Sequence, residues 1–173
     1  MEDAQQAQLR VNSGWDNWNS TTSGWMVMMS EKTGLPHRAW GKGIEFLGSD
    51  IETKHLDFVA TTLPYFGAHP DQLSTDFNIN RSSKHERVFQ TQQLDGYPVL
   101  LSQIQTKWRD GKLVLWGLDF WPDANVPEGD ILDDNSILAH AVEGVDFENI
   151  EVEWGELSIL PDSYAEGEFR LVK

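Results

Sequence analysis

The sequence predicts an α+β fold, with helices packed on antiparallel β-sheets and the chain divided into two halves. Three observations predict it. Two Asp-Gly dipeptides, Asp95-Gly96 and Asp110-Gly111, join three β-rich runs, and such dipeptides favour tight hairpins. An amphipathic stretch beginning at Ile51 interrupts the strand-like sequence. A shorter helical stretch followed by short strands then closes the chain, so helices and strands are segregated in runs.

Residues 1–23 are polar, rich in Asn, Ser, Thr and Gln, and read as a loosely ordered lead-in anchored by Trp15 and Trp18. Trp25-Met-Val-Met-Met29 is a short apolar run ended by turn-forming Ser30–Gly34, which predicts a strand and a turn. Leu35 to Phe46 holds a second, irregular strand. Gly41-Lys42-Gly43 within it is too short for a phosphate cradle and reads as a turn or bulge needing positive φ. Ser49 or Asp50 caps a helix whose stripe is Ile51, His55, Phe58, Val59 and Thr62, widened by Leu56 and Leu63 and ended near Pro64. Strands are expected over Ser74–Asn80, Arg87–Leu94, Tyr97–Trp108 and Lys112–Phe120, with Val99, Leu101, Gln103, Gln105 and Lys107 on one side of the third. Beyond the acidic, loop-like 121–134, a helix over Ser136–Glu143 precedes strands at Ile150–Trp154, Leu157–Leu160 and Phe169–Val172. The expected division is a lead-in (1–23), a first half (24–122) and a second half (123–173).

The chain has 173 residues, 39% of them hydrophobic, enough apolar material for a real core. Its 28 Asp+Glu outweigh 13 Lys+Arg, a formal charge of −15. Phosphate backbones and anionic membrane surfaces repel such a chain, and the sequence is read as having no Lys/Arg cluster, so neither nucleic acid nor membrane is an expected partner. No apolar run approaches the ~20 residues of a membrane span. Met1–Gln6 shows neither the basic nor the apolar region of a signal peptide. There is no cysteine, which removes disulfides, thiolate metal sites and cysteine nucleophiles.

The search for chemistry gives little. His37, His55, His69, His85 and His140 form no close ligand pair, so no metal site is written, and a histidine within a helix is more often packing than catalysis. No nucleophile elbow, P-loop or dinucleotide fingerprint occurs, and no catalytic residue or cofactor is assigned. Asp119, Asp123, Glu128, Asp130, Asp133 and Asp134 crowd one loop, but their spacing does not fit a helix-loop-helix calcium site, and a solvated acidic loop is the default. The eight tryptophans are spread along the chain and read mostly as packing residues, although such side chains also line sugar and peptide grooves.

Two segments then carry a resemblance. One runs from Trp25 through Thr33-Gly34-Leu-Pro36 to Gly41-Lys-Gly43. The other runs from Val88 through Gln92-Gln-Leu-Asp-Gly96-Tyr-Pro98-Val99 to Asp110-Gly111. In order and spacing they resemble the propeptide of secreted thermolysin-like and fungalysin-like metallopeptidases (FTP), and residues 123–173 look like its PepSY-type half; the resemblance implies a truncated half, since the family pattern continues past the strand that precedes Lys173. The match departs at Leu94, where the family has Tyr. The resemblance implies two cystatin/PepSY-like halves, a secreted or periplasmic setting, and a non-catalytic chaperone and inhibitor of a cognate zinc metallopeptidase, acting in cis or in trans. It assigns structural roles to Gly34, Pro36, Gly41, Gly96, Pro98, Val99 and Gly111. Gln92, Trp108 and Trp116 are the expected partner contacts, Gln92 because a strand glutamine can hydrogen-bond a second chain. The alternative is a peptide- or glycan-binding module of a secreted or surface protein.

Overall fold

The computed structural model describes residues 4–127, 155–161 and 169–172. The expected helix at Ser136–Glu143 and strand at Ile150–Trp154 lie outside them. Within them the fold is α+β. The elements are α1 (Ala4–Asn12), α2 (Trp15–Thr22), β1 (Met26–Met29), β2 (Pro36–Ile44) and α3 (Ile51–Thr62). After two 3-10 turns come β3 (Asn78–Arg81), β4 (Glu86–Leu94), β5 (Tyr97–Arg109), β6 (Lys112–Asp119), β7 (Ser158–Pro161) and β8 (Phe169–Val172). The sheet order is β1-β2-β6-β5-β4-β3, antiparallel throughout. A short parallel contact, Val99 with Ile159, attaches β7 to β5, and β8 pairs antiparallel with β7.

The lead-in is a correction. It folds as α1 and α2, separated by Gly14 in the left-handed region (φ 72°). Trp15 and Trp18 fall on one face of α2, three residues apart, and both are buried. Trp18 stacks edge-on to Trp116 at 4.9 Å and Trp25 at 5.4 Å, so the tryptophans of this region form one aromatic cluster. From α1, the Gln6 carboxamide accepts from Met29 N at 2.8 Å and donates to Met29 O at 3.2 Å, pinning the helix to β1.

The stripe of α3 is as the periodicity predicts: Ile51, His55, Phe58, Val59 and Thr62 are buried, and Leu63 joins them, whereas Leu56 points outward. Asp50 caps the helix, accepting from Thr53 N at 2.9 Å, while the Thr53 hydroxyl accepts from Asp50 N. The hydrogen bond from the Thr53 amide, then that from its hydroxyl, holds the Asp50 carboxyl below its ordinary pKa. Pro64 lies in the first turn of the 3-10 helix Leu63–Phe66, which Gly67 ends in the left-handed region.

Gly41 and Gly43 do sit in a bulge, between the Trp40–Leu115 and Ile44–Leu113 pairs, but neither has positive φ. The need at Gly41 is room: a Cβ there would stand 2.6 Å from the Trp25 ring. Gly34, Gly96 and Gly111 take the positive φ that their turns demand.

In β5 the expected alternation fails. Gln92 alone on β4 faces Val99–Ser102 on β5, between the Thr91–Gln103 and Gln93–Pro98 pairs. Leu101 takes φ 58° within this bulge and is exposed, and Val99 and Ser102 both turn inward. Val99 therefore leaves the side held by Gln103, Gln105 and Lys107 and enters a second small core with Ala124 and Ile159.

Candidate functional site

One face of the sheet carries the main core, beneath α2, α3 and the 3-10 turn at Leu63–Phe66. Strand alternation turns the intervening side chains to the opposite face. Among the described residues no helix covers that face, and it is the candidate site.

Its rows follow from register. Met26, Trp40, Leu115, Lys107, Arg87 and Asn80 form one continuous row from β1 to β3. The next row holds Gly117, Gln105, Phe89 and Asn78, and a third holds Asp119, Gln103 and Thr91. At the β1 side the face is apolar, with Met26, Met28 and Trp40 exposed. Toward β3 it deepens into a groove of about 640 Å³ lined by the amides of Asn78, Gln93 and Gln103, Thr91 and Phe89, with the carboxylates of Asp76 and Glu156 also on its wall. Amides, a hydroxyl and an aromatic ring beside two carboxylates suit a polypeptide or another polar ligand.

The middle of the face is held by Arg38. Its guanidinium lies over Gly117, which has no side chain to occupy that space. The Gln105 amide oxygen, in the orientation that satisfies both groups, accepts from Arg38 Nε at 2.8 Å and Nη2 at 3.0 Å. Asp119 receives Arg38 Nη1 at 3.4 Å and pairs with His37 Nδ1 at 2.5 Å. Arg38 Nη1 also donates to His37 O. This half-exposed network ties β2, β5 and β6 together.

At the other end stand cations. Arg87 and Lys107 are direct cross-strand partners, and Arg109 is paired with Lys112. Loss of water contact, followed by the charges of Lys107, Arg87 and Arg109, lowers the pKa of neighbouring His85. The sequence reading finds no Lys/Arg cluster because Arg87 stands 20 positions before Lys107; the β4–β5 hairpin brings Arg87 beside Lys107 and Arg109 and so assembles one.

The expected partner residues lie elsewhere. Trp108 and Trp116 are in the main core, and Gln92 is wholly buried. The Gln92 amide donates to Trp121 O at 2.8 Å and its oxygen accepts from Trp121 N at 3.0 Å and Ser102 Oγ at 2.7 Å. All its polar atoms are engaged within the chain, so it fastens the end of β6 to the β5 bulge. The structural residues hold turns and strand starts: Gly34 and Pro36 at the β1–β2 connection, Gly96 and Pro98 at the β4–β5 hairpin, Gly111 at the β5–β6 hairpin.

His55 is fully buried and joined to Thr106 Oγ1 at 2.9 Å and Gln90 Oε1 at 3.1 Å. Gln90 Oε1 only accepts, so Nε2 carries the proton and Nδ1 accepts from the Thr106 hydroxyl. Thr106 in turn accepts from Trp108 Nε1 at 2.9 Å, and Gln90 Nε2 donates to Ser74 O at 2.6 Å. Burial lowers the His55 pKa to about 4, against the hydrogen bond to Gln90, which raises it. A neutral imidazole, satisfied on both nitrogens and sealed from solvent, is a core residue.

Of the acidic loop, Asp119 belongs to β6 and Asp123 is exposed; Glu128, Asp130, Asp133 and Asp134 lie outside the described residues, as does His140. Among the described residues no three His, Asp or Glu side chains are grouped to hold a metal ion, and no helix is long and apolar enough to cross a membrane. No protein-family model, curated protein or solved structure matches the chain.

Proposed function

We propose that this chain is a non-catalytic, partner-binding domain: a propeptide-type chaperone and inhibitor of a secreted or periplasmic zinc metallopeptidase, acting through the open face of its sheet. The observation that carries the reading is that face. A six-strand sheet buries one side under helices and offers the other, grooved and lined by amides, as a preformed template. Such a surface lowers the folding barrier of a kinetically trapped enzyme by holding its strands or loops in place, and covers its cleft afterwards. The resemblance in the Thr33–Pro36 and Gln92–Val99 segments supplies the enzyme class. In this reading α3 with β2 and β4–β6 is the cystatin-like first half, and β7–β8 belong to a PepSY-like second half.

The experiment is refolding and inhibition. A denatured thermolysin-type metallopeptidase domain from the same genome is diluted into buffer with and without the purified chain, and recovered activity is followed as the chain is titrated. A higher refolding yield with inhibition of the folded enzyme is expected. Thr91→Arg and Gln103→Arg, which fill the groove without touching the core, are expected to remove both effects. A chain that neither aids refolding nor slows the enzyme ends this reading. Binding of peptides or glycans by the same groove would then favour the alternative, a binding module.

A further inference from the structure

We propose that the cationic end of the open face, built by Arg87, Lys107 and Arg109, is a recognition site for an extended acidic peptide segment with carboxylates at alternate positions. The proposal names a partner chemistry for the face and rests on the reading of that face as the binding surface.

The first argument is register. Arg87 on β4 and Lys107 on β5 stand directly opposite each other, and Arg109 on β5 stands opposite Lys112 on β6. Like charges directly opposed across an antiparallel pair repel and weaken it. Carboxylates are abundant in this chain, yet none occupies these positions. Lys112 is bonded to Glu45 and Arg81 to Glu86, whereas Arg87, Lys107 and Arg109 make no ion pair among the described residues. Arg87, Lys107 and Arg109 therefore stand at one end of the open face without a carboxylate partner among the described residues, whereas Arg38 at its middle is held by Asp119.

The second argument is spacing. Lys107 and Arg109 are alternate residues of one strand, so their side chains leave the same face about 7 Å apart. Alternate side chains of an extended peptide have that same repeat. Arg87 lies one strand away from Lys107, about 5 Å across the sheet, and flanks the same line. Phe89 and Gln105 fill the adjacent row, where an aromatic ring and an amide can meet the peptide's remaining side chains and backbone.

The third argument distinguishes a peptide from a polyanion. The positive patch is local: up to Lys112 the chain holds 11 Lys+Arg against 13 Asp+Glu, and from Leu113 onward it holds 2 against 15. A long, uniformly charged nucleic acid would extend beyond three cations into the field of a chain with a net charge of −15. A short segment meets only the cations, because screening confines their field to about 8 Å.

The test uses the full chain and a fluorescein-labelled octapeptide alternating Glu and Thr, with its Gln-for-Glu counterpart as control, read by anisotropy at physiological ionic strength, where screening confines the field to about 8 Å. The acidic peptide is expected to bind and the neutral one not. Arg87→Gln with Lys107→Gln is expected to weaken binding at least threefold; removing the like-charge pair leaves the fold as stable or more so, which a melting curve verifies. Lys32→Gln, at the exposed β1–β2 turn, leaves binding unchanged. Equal binding of the neutral peptide, no binding of the acidic one, or indifference to the double substitution overturns the proposal. So does an oligothymidylate of equal charge that binds as tightly and loses affinity in the same variant. No peptidase is present in this assay. Absent peptide binding with intact peptidase inhibition therefore removes only the acidic-segment site, and the reverse result removes only the metallopeptidase reading.

Discussion

Gln92 and Trp121 are joined as neighbouring strands are joined, with a side chain standing in for a backbone. The Gln92 carboxamide donates to Trp121 O and accepts from Trp121 N, so one amide group satisfies both polar groups of the residue that leaves β6. The same oxygen accepts from Ser102 Oγ, across the bulge of β5. Three chain segments therefore meet on one buried glutamine.

Gln92→Leu is expected to destabilise the chain by roughly 1–3 kcal/mol, because it leaves the partly buried N–H and C=O of Trp121 without their partner. Gln92→Glu should cost less at acid pH, where a protonated carboxyl restores a donor. Urea unfolding followed by tryptophan fluorescence reads both. A midpoint unchanged in Gln92→Leu would show that the clamp contributes nothing.

His55 makes stability depend on pH. Its folded pKa is about 4, against 6.5 for an ordinary histidine, so between these values the unfolded chain binds more protons than the folded one. The contribution is fully present above pH 6.5 and is lost as pH falls toward 4. The shift corresponds to roughly 3 kcal/mol. Urea midpoints are expected to fall through this window and to fall less in His55→Gln. Parallel profiles for the two proteins would place the acid sensitivity in other groups.

Gly117 and Gly41 should respond differently to alanine. A Cβ at Gly117 would run into the His37 carbonyl on β2, a backbone atom that cannot move without separating the strands. A Cβ at Gly41 would meet the buried Trp25 ring, a side chain whose displacement disturbs its packing on Trp18 but leaves the strand pairing in place. Gly117→Ala is expected to cost about 3 kcal/mol or more and Gly41→Ala about 1–2 kcal/mol. Thermal melts decide the order, and equal losses would contradict it.

Leu101 is held at φ 58° with its side chain in solvent, a conformation that costs a side chain about 1 kcal/mol and costs glycine almost nothing. Leu101→Gly is therefore expected to raise stability by about 0.5 kcal/mol, the gain reduced by the flexibility it adds to the unfolded chain. A lower midpoint in urea would mean that Leu101 makes a contribution beyond its conformation.

Much of the fold was legible where local chemistry decides it. The stripe from Ile51 to Thr62, the Asp50 cap and the two Asp-Gly hairpins depend on residues within one element or turn. The helices of the lead-in were hidden because Gln is the commonest residue of Ala4–Asn12 and Ser, Thr and Asn dominate Trp15–Thr22, and these residues give no apolar stripe. The one signal was the three-residue spacing of Trp15 and Trp18. The β5 bulge was hidden because strict alternation through Val99, Leu101 and Gln103 fits the sequence equally well, and only the attachment of β7 turns Val99 the other way. The candidate site was the least visible part. Arg38 meets Gln105, and Arg87 meets Lys107, only through cross-strand register, which no sequence spacing contains. Gln92 stood out in the sequence, but its partners proved to be in the same chain.

The contact between Gln6 and Met29 has a further consequence. Strand β1 ends the sheet order, and a terminal strand is a growing end to which another chain can add. Alternate residues of such a strand turn both backbone groups outward, so Met29 and Val27 form the reactive part of that end. By occupying both groups of Met29, the Gln6 amide works as a chain terminator does in a polymerisation: it reacts with the end and offers no group for the next addition. One of the two outward-facing residues of β1 is thereby closed by a side chain on a helix, and unwinding of that helix would reopen it.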